Sequence, residues 1–318
     1  MANDTANLRT TDPGTVLITG PTRGLGRVAA LAMAARPAAT RPDLLLVGRA
    51  GPGLREVTAA ARAAGAMAHA IDADLARLAD VRAAAATARE LLATGAVRPL
   101  RGLVANAGLL SADVRRASAD GYELTFAVNH LAHAQLIGDL LGAFTAPARI
   151  VLLGSDTYRA GRGKRLLGVQ PAQWRDPTDL ARPAPAGAPV RLRDAAVAYA
   201  TSKLAVLYYA HELQRRAKQG INVSVFEPGW MPGTGLGRDA PAAFQALGRG
   251  LQHLPGMASP ARSGALLAAI ALDDRWANLR DGAYVVIDRV DEQPAFAHDR
   301  DRELRLWNVT AELLAPVG

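Results

Sequence analysis

The stretch that decides the fold is TVLITGPTRGLGRVAALAMAA, residues 15–35. An apolar run, a glycine-rich turn and a segment with apolar residues at helical spacing follow one another directly, which is the order of a strand, a turn and a helix. Glycines at such a turn let the backbone approach a pyrophosphate, and the helix N-terminus presents unpaired N–H groups and the positive end of its dipole. The stretch therefore predicts a phosphate-binding loop; an ordinary glycine-rich turn is the alternative.

Short apolar runs and longer helical patterns alternate along the rest of the chain, which is typical of βαβ units on a parallel sheet. We predict an α/β fold, a Rossmann-type doubly wound seven-stranded parallel sheet with helices on both faces. No internal repeat or domain boundary is visible, so residues 14–318 are expected to form a single domain after a flexible tail at residues 1–13. The predicted strands are residues 15–19, 43–48, 66–71, 101–106, 149–155, 221–227 and 283–288.

Composition excludes several classes of protein. Half of the 318 residues are hydrophobic and there is no Cys, so the chain can bury a core but has no disulfide framework, thiol nucleophile or thiolate metal site. The net charge of +8 comes from scattered Arg residues, and the basic cluster at residues 159–165 lacks interleaved aromatic residues, so no nucleic-acid partner is predicted. An N-terminus without an apolar core and the absence of long apolar runs predict a cytoplasmic protein without a membrane anchor.

Tyr199 and Lys203 stand four residues apart in the helical pattern AVAYATSKLAV, although the chain has only three Lys among 37 basic residues. This spacing puts the two side chains on one helix face. A phenol with a pKa near 10 is a poor acid at neutral pH, and a nearby ammonium is expected to lower that pKa. The pair is therefore a candidate for acid-base catalysis by the tyrosine.

The spacing Gly-x-x-x-Gly-x-Gly at residues 20–26, together with Tyr-x-x-x-Lys at residues 199–203, resembles the short-chain dehydrogenase/reductase family. The resemblance covers nearly the whole chain, because further motifs follow in family order. They are DADL at residues 72–75, NAG at 106–108, VNHL at 128–131, Ser155 after the fifth predicted strand, and PGWMPGT at 228–234.

The resemblance implies a role for each matching residue. Tyr199 would donate the proton, and Lys203 would also bind the nicotinamide ribose. Ser155 would hydrogen-bond the substrate oxygen, and Asn129 would help to hold a relay water near Lys203. The predicted cofactor-binding residues are Gly20, Thr22, Arg23, Gly24, Leu25, Gly26, Arg49, Asp74, Leu75, Asn106, Ala107, Gly108, Tyr199, Lys203, Pro228, Gly229, Trp230, Met231 and Thr234.

Three features resemble the subgroup of retinol-dehydrogenase-like and protochlorophyllide-reductase-like enzymes. Ser155 and Tyr199 are 44 positions apart, Thr234 comes one place later than in the commonest family motif, and LWNVTAELL at residues 306–314 is similar to a C-terminal helix of the subgroup. Protochlorophyllide reductase itself is expected to carry an active-site cysteine, which this chain lacks.

The end of the second predicted strand indicates the cofactor. An acidic residue there would accept the ribose 2′-OH of NAD, whereas a basic residue would meet the 2′-phosphate of NADP. The chain has Arg49 at this place, the resemblance puts Arg23 nearby, and Asp43 and Asp72 are assigned to other strand ends. We therefore predict NADP(H); the alternative is that Arg49 only extends into solvent.

Residues 158–194 contain five Pro and no sustained period, and we interpret them as an insertion, a substrate lid rather than a mobile surface segment. Tyr158, Trp174 and Trp230 are candidate substrate contacts. No metal site is predicted, because no further ligand accompanies His130 and His133.

The predicted function is an NADPH-dependent oxidoreductase that reduces a ketone or aldehyde of an apolar small molecule, or runs the reverse reaction. Two alternatives remain: reduction of an activated C=C bond on the same fold, and a catalytically silent NADP-binding sensor or scaffold. The expected partner is the small-molecule substrate, with a monomer or a homodimer as the assembly.

Overall fold

The computed structural model describes residues 12–166, 168–231 and 258–315. These residues form one eight-stranded sheet in the order β3-β2-β1-β4-β5-β6-β7-β8. Strands β1 to β7 pair in parallel and β8 is antiparallel to β7, so the predicted doubly wound α/β fold is confirmed. The strands are β1 (Thr15–Thr19), β2 (Asp43–Gly48), β3 (Ala68–Asp72), β4 (Leu100–Ala105), β5 (Phe144–Leu153), β6 (Ile221–Glu227), β7 (Ala283–Val286) and β8 (Arg289–Val290).

Three predicted strands, β1, β2 and β6, have the predicted bounds. The strand β5 begins earlier than predicted, at Phe144, because its first residues follow a short 3₁₀ turn at Leu141–Ala143 without a loop. The two-residue β8 was not predicted, since a run that short has no period to recognise.

The helices are α1 (Gly24–Ala34), α2 (Pro52–Ala63), α3 (Leu78–Ala93), α4 (Leu124–Phe126), α5 (Ala132–Leu140), α6 (Arg162–Leu166), α7 (Pro177–Leu180), α8 (Leu192–Arg216), α9 (Pro260–Leu272) and α10 (Arg300–Leu314). A π-helical turn at Ala127–Leu131 joins α4 to α5. Side chains of β1 alternate between two cores: Leu17 faces the core that includes residues of α3, α5 and α8, whereas Val16 and Ile18 face the core of α1, α2 and α9. This alternation places helices on both faces of the sheet. No helix of the described ranges is long and apolar enough to cross a membrane.

The segment at residues 158–194 is attached by backbone hydrogen bonds rather than extending into solvent. The amide of Gln173 donates to Thr201 Oγ1 on α8 at 3.0 Å. The carbonyl of Ala181 accepts from Glu123 N at 2.8 Å, and the amide of Ala184 donates to Val114 O at 3.0 Å. The insertion therefore packs along α8, past the start of α4, and onto the loop that follows β4.

The C-terminal helix α10 covers the outer face of α8 and the π-helical turn. The ring of Trp307 stacks on Tyr209 with centroids 5.3 Å apart, and the Arg216 guanidinium lies 4.8 Å from the centre of the Trp307 ring. On the same helix Thr310 Oγ1 lies 2.8 Å from Nε2 of the buried His130. Aromatic burial of this kind anchors α10 to the domain.

Candidate active site

The glycine loop turns sharply between β1 and α1. Gly20 and Gly24 have φ values of +66° and +51°, in the left-handed region that favours glycine. At Gly26 a Cβ would lie 2.3 Å from both the Gly20 carbonyl oxygen and Asn106 Nδ2, so any side chain would collide with the loop. No described side chain caps the N-terminus of α1, and its first turn carries no acidic residue. These features suit the diphosphate of a dinucleotide, because no described side chain caps the N–H groups of the first turn.

Asn106 connects the glycine loop to the end of β4. Its Nδ2 donates to the carbonyls of Thr19 at 2.9 Å and Gly20 at 3.2 Å. Thr19 Oγ1 in turn accepts from the amides of Asn106 and Ala107 at 3.0 and 2.9 Å. Sequence analysis predicted Asn106 and Ala107 as cofactor-binding residues and missed Thr19; the structure shows that all three shape the loop.

The end of β2 carries an exposed Arg49, and Arg23 is exposed at the start of α1. Asp72 lies, as expected, at another strand end, that of β3. Asp72 pairs in register with Gly48, and its Oδ1 accepts from Ala50 N at 2.5 Å, so an acidic residue does lie beside Arg49. The strand order, which places β3 next to β2, brings this carboxylate to the edge where Arg49 ends its strand.

Further predicted cofactor-binding residues lie at the same edge of the sheet. Asp74 is half-buried, and its Oδ1 accepts from Ala76 N at 3.1 Å, whereas Leu75 is buried. Thr22 is half-buried, and Leu25 is buried on α1. Thr234 lies outside the described residues.

The predicted catalytic residues come together at the C-terminal edge of the sheet. Lys203 Nζ lies 5.6 Å from the centre of the Tyr199 ring and donates to Leu153 O at 2.8 Å. Ser155 is close enough to Tyr199 for its hydroxyl to act on the phenol and lower the pKa of Tyr199. The hydroxyl of Ser155 also accepts from Thr157 N at 3.4 Å and so caps the turn after β5.

Asn129 lies in the π-helical turn, a distortion that is frequent at functional sites. Its side-chain amide is held from two sides: Oδ1 accepts from Leu109 N at 2.9 Å, and Nδ2 donates to Ser202 Oγ at 3.0 Å. A Cβ on Gly108 would lie 3.3 Å from Asn129 Oδ1 and 3.8 Å from Lys203 Nζ. The structure therefore brings the NAG motif, Asn129 and Lys203 to one place.

Comparison with known proteins decides the family. A family model described as short chain dehydrogenase matches residues 14–163. Protochlorophyllide reductase A of Oryza sativa subsp. japonica is 31% identical over 337 residues, which cover 97% of this chain and 82% of that protein. The chain belongs to the short-chain dehydrogenase/reductase family.

Another relative agrees with this membership, and a solved structure shares the fold. A protein named as a daunorubicin C-13 ketoreductase of Streptomyces sp. (strain C5) is 37% identical over 219 residues, which cover 68% of this chain and 66% of that protein. The chain thus spans just under two thirds of that relative, and 58% of the protochlorophyllide reductase of Chlamydomonas reinhardtii. A short chain dehydrogenase of Burkholderia cenocepacia solved in complex with NADP shares the fold, with a TM-score of 0.63, 23% identity, and coverage of 87% of this chain and 97% of that chain.

Burial dominates the electrostatics of this dehydrogenase/reductase site. It raises the pKa of Tyr199, the charge of Glu227 adds to that rise, and the hydroxyl of Ser155 opposes it. Burial lowers the pKa of Lys203 to about 8, although Glu227 acts in the opposite direction. The expectation of a lowered tyrosine pKa is therefore wrong for the protein alone, because desolvation of the phenolate is the largest effect.

Glu227 is the residue that sequence analysis missed. It ends β6, is only 6% exposed, and accepts from Gly229 N at 3.1 Å. Burial raises its pKa to about 7, and the charge of Asp156 adds to the rise. The sequence does contain a signal for this residue: an acidic residue ends an otherwise apolar strand, directly before Pro228.

Two of the three candidate substrate contacts are engaged in packing. Tyr158 is 2% exposed, donates to Gln293, and packs edge-on against Tyr284 with ring centroids 6.0 Å apart. Trp174 packs edge-on against Tyr208 at 4.8 Å. These contacts argue against substrate roles for both residues, since their rings are occupied by the core. Trp230 is 40% exposed and stays a candidate.

The loop after β6 is described as far as Met231, which packs partly buried against the core that includes residues of α1 and α9. In the same loop the carbonyl of Pro228 accepts a hydrogen bond from Oγ of the buried Ser263 at 2.7 Å. Gly229 has a φ of +89°, so the turn requires glycine.

A cavity of about 870 Å³ lies between the insertion and α8. The lining residues on α8 include neither Tyr199 nor Lys203; they are Arg193, Asp194, Val197, Ala198, Thr201 and Ser202. The insertion therefore encloses space beside the catalytic pair on another face of α8, and its role as a lid over Tyr199 stays a prediction.

The two neighbouring histidines have structural roles. His133 Nε2 lies 3.0 Å from Thr19 Oγ1, and burial lowers the pKa of His133 to about 4. Burial likewise lowers the pKa of His130 to about 3. Within the described ranges no group of three His, Asp or Glu residues could hold a metal ion.

Proposed function

We propose that the chain is an NADP(H)-dependent carbonyl reductase that converts an apolar ketone or aldehyde to an alcohol, or runs the reverse reaction. The observation that carries the proposal is that Ser155 and Lys203 are both neighbours of Tyr199: Lys203 Nζ lies 5.6 Å from the centre of the Tyr199 ring, and the hydroxyl of Ser155 acts to lower the pKa of Tyr199. Two hydroxyls converge at the edge of the sheet next to the glycine loop, which is where a carbonyl oxygen needs a donor and an acid. The similarity to a named ketoreductase supports the same reaction class.

Each residue has a role that follows from its surroundings. Ser155 donates a hydrogen bond to the carbonyl oxygen of the substrate, and Tyr199 transfers its proton to that oxygen as negative charge develops. The raised pKa makes Tyr199 a weaker acid than a free phenol but leaves it protonated at neutral pH, and the developing alkoxide is basic enough to take that proton. The reverse reaction requires the phenolate, which the cation of Lys203 stabilises.

The cofactor would be held by residues of this chain that fit its charges. The diphosphate would lie at the N-terminus of α1, and the 2′-phosphate near Arg23 and Arg49. Lys203 would bind the nicotinamide ribose with its ammonium donors. When bound, NADPH supplies the hydride that the protein cannot. The NADP complex of the Burkholderia cenocepacia structure, which shares the fold, supports this choice of cofactor.

The experiment follows loss of NADPH absorbance with a panel of apolar ketones, aldehydes and enones. Tyr199→Phe should bind NADPH normally and lose about a hundredfold to ten thousandfold in turnover, since it removes only the proton donor. Tyr209→Phe is the matched control on the same helix, because its hydroxyl makes only a 3.5 Å contact with Ala134 O. Turnover by Tyr199→Phe near that of the control would refute the proposal.

Reduction of an activated C=C bond is a second candidate, favoured by the similarity to protochlorophyllide reductase over 97% of the chain. Product analysis with an enone separates the two reactions: a saturated ketone indicates C=C reduction and an allylic alcohol indicates C=O reduction. NADPH binding without turnover on any compound would instead favour the silent binding protein.

A further inference from the structure

The position of Glu227 follows from the alternation of side chains along β6. Ile221, Val223 and Val225 pack in the core beneath α8, whereas Phe226 packs in the core on the other face. Because successive side chains of a strand point to opposite faces, Glu227 lies on the α8 side, one step beyond Val225. An apolar row thus ends in a buried carboxyl group at the edge of the sheet that carries the candidate active site.

The carboxylate of Glu227 is stabilised by the backbone of two loops of the site. Its Oε1 accepts from Gly229 N at 3.1 Å, in the loop after β6. The backbone of Asp156, the residue that directly follows Ser155, also stabilises the carboxylate and acts to lower its pKa. The hydrogen bond from Gly229 N holds the loop after β6 on the buried carboxylate, because charge-assisted hydrogen bonds are about twice as strong as neutral ones.

The strand register brings the same carboxylate next to the catalytic pair. Leu153, whose carbonyl accepts from Lys203 Nζ at 2.8 Å, pairs with Phe226 in the sheet. The ammonium is therefore bound one register position before Glu227. The charge of Glu227 acts on both Tyr199 and Lys203.

We propose that Glu227 is a positioning residue of the active site: buried at the end of β6, one register position beyond the strand pair that binds Lys203, it holds the loop after β6 and places a negative charge beside Tyr199 and Lys203. This inference rests on the proposed roles of Tyr199 and Lys203.

Other ionisable groups also face Glu227 and set its own charge. From the turn after β5 these are Asp156 and Tyr158, from α6 Lys164, and from β7 Tyr284. Asp156 favours the neutral carboxyl and Lys164 the carboxylate, with burial as the largest effect, which leaves the pKa of Glu227 at about 7. The field that Glu227 exerts on the catalytic pair therefore rises as the pH passes through neutrality.

The test compares wild type with Glu227→Gln, whose amide keeps the shape and one acceptor oxygen but carries no charge. Without the charge, Tyr199 and Lys203 lose their protons at lower pH, so the alkaline limb of kcat/KM for carbonyl reduction should move down by about one pH unit. The alkaline limb of NADPH affinity, read from tryptophan fluorescence, should move in the same direction. Glu123→Gln is the matched control, because Glu123 is also a buried carboxyl, 5% exposed, that accepts a backbone hydrogen bond from Phe126.

The outcomes separate the two proposals. The alkaline limbs of the pH profiles could lie at the same pH in wild type, Glu227→Gln and Glu123→Gln, with the activity of Glu227→Gln reduced uniformly at every pH. Glu227 would then be merely structural, and the inference would be overturned. If wild type turns over no carbonyl compound, the proposed function fails, and the NADPH-affinity profile alone then decides the inference about Glu227.

A second variant covers the case in which Glu227→Gln does not fold. Glu227→Asp keeps the charge but shortens the side chain, so one backbone hydrogen bond should be lost. We expect a lower kcat with the alkaline limb at its wild-type position. A limb moved to lower pH in Glu227→Asp would overturn the inference, because the charge would then not be what sets it.

Discussion

Gly26→Ala adds one methyl group at the tightest point of the glycine loop. The new Cβ would lie 2.3 Å from the Gly20 carbonyl oxygen and 2.3 Å from Asn106 Nδ2. Neither atom can move freely, because Gly20 is backbone and Asn106 Nδ2 is held by Thr19 O at 2.9 Å. The loop must therefore open at the place where it would hold the diphosphate.

The expected loss of stability has two sources. Forcing a methyl group into a closely packed site costs about 1 to 3 kcal/mol, and each hydrogen bond of Asn106 that breaks adds about 0.5 to 1.5 kcal/mol. We expect a decrease of about 2 to 5 kcal/mol in the free energy of unfolding. NADPH affinity should fall by at least about tenfold, which corresponds to only 1.4 kcal/mol of distortion in the loop.

Gly24→Ala is the control within the same loop. Gly24 has a φ of +51°, but no heavy atom in the described part of the chain lies within 4 Å of its ideal Cβ. It should lose only the backbone strain, about 1 to 2 kcal/mol. Urea unfolding and NADPH titration measure both variants. If Gly26→Ala were as stable as Gly24→Ala and bound NADPH like wild type, the claim that the glycine loop has no room for a side chain at position 26 would be refuted.

Three further predictions concern the cofactor edge, the C-terminal helix and the buried acid. Arg49→Ala should weaken NADPH binding about tenfold and leave NADH binding unchanged, whereas Asp72→Asn should strengthen NADPH binding; equal effects on both cofactors in fluorescence titrations would reject the assignment. Trp307→Ala removes the ring that stacks on Tyr209, so it should lower the free energy of unfolding, measured by urea denaturation, by about 2 kcal/mol. A decrease of less than about 0.5 kcal/mol would contradict this prediction. Burial raises the pKa of Glu227 to about 7 from 4.5, so its contribution to stability is greatest below pH 4.5 and is lost as the pH rises through 7. Between pH 4.5 and 7 the free energy of unfolding of wild type should therefore fall by about 3 kcal/mol relative to that of Glu227→Gln. Parallel pH profiles of unfolding for the two proteins would contradict this.

Motifs that are contiguous in sequence were predicted well. The glycine loop is a strand, a turn and a helix within residues 15–35, and its glycines have the positive φ values and close contacts that the pattern requires. Tyr199 and Lys203 share a face because helix geometry alone relates positions four apart. Such features depend on local backbone geometry, so their spacing in the chain is sufficient information.

Features that depend on strand order were predicted poorly. Asp72 was correctly assigned to another strand end, that of β3, but its carboxylate accepts from Ala50 N beside Arg49 because β3 pairs with β2, which the sequence did not predict. Tyr158 follows Ser155 closely in sequence, yet the turn after β5 directs its ring into the core against Tyr284. Neither outcome is encoded in the spacing of nearby residues.

The sequence by itself determined the parallel α/β architecture, the phosphate loop and the pairing of Tyr199 with Lys203, because each depends on local periodicity or on residues within one turn of helix. Only the tertiary structure decided the electrostatics of the site. Glu227 is the last residue of an apolar strand in the sequence, and it becomes a neighbour of Tyr199 and Lys203 because the carboxyl ends of parallel strands meet at one edge. Burial at that edge, rather than the charge of Lys203, sets the direction in which the pKa of Tyr199 moves.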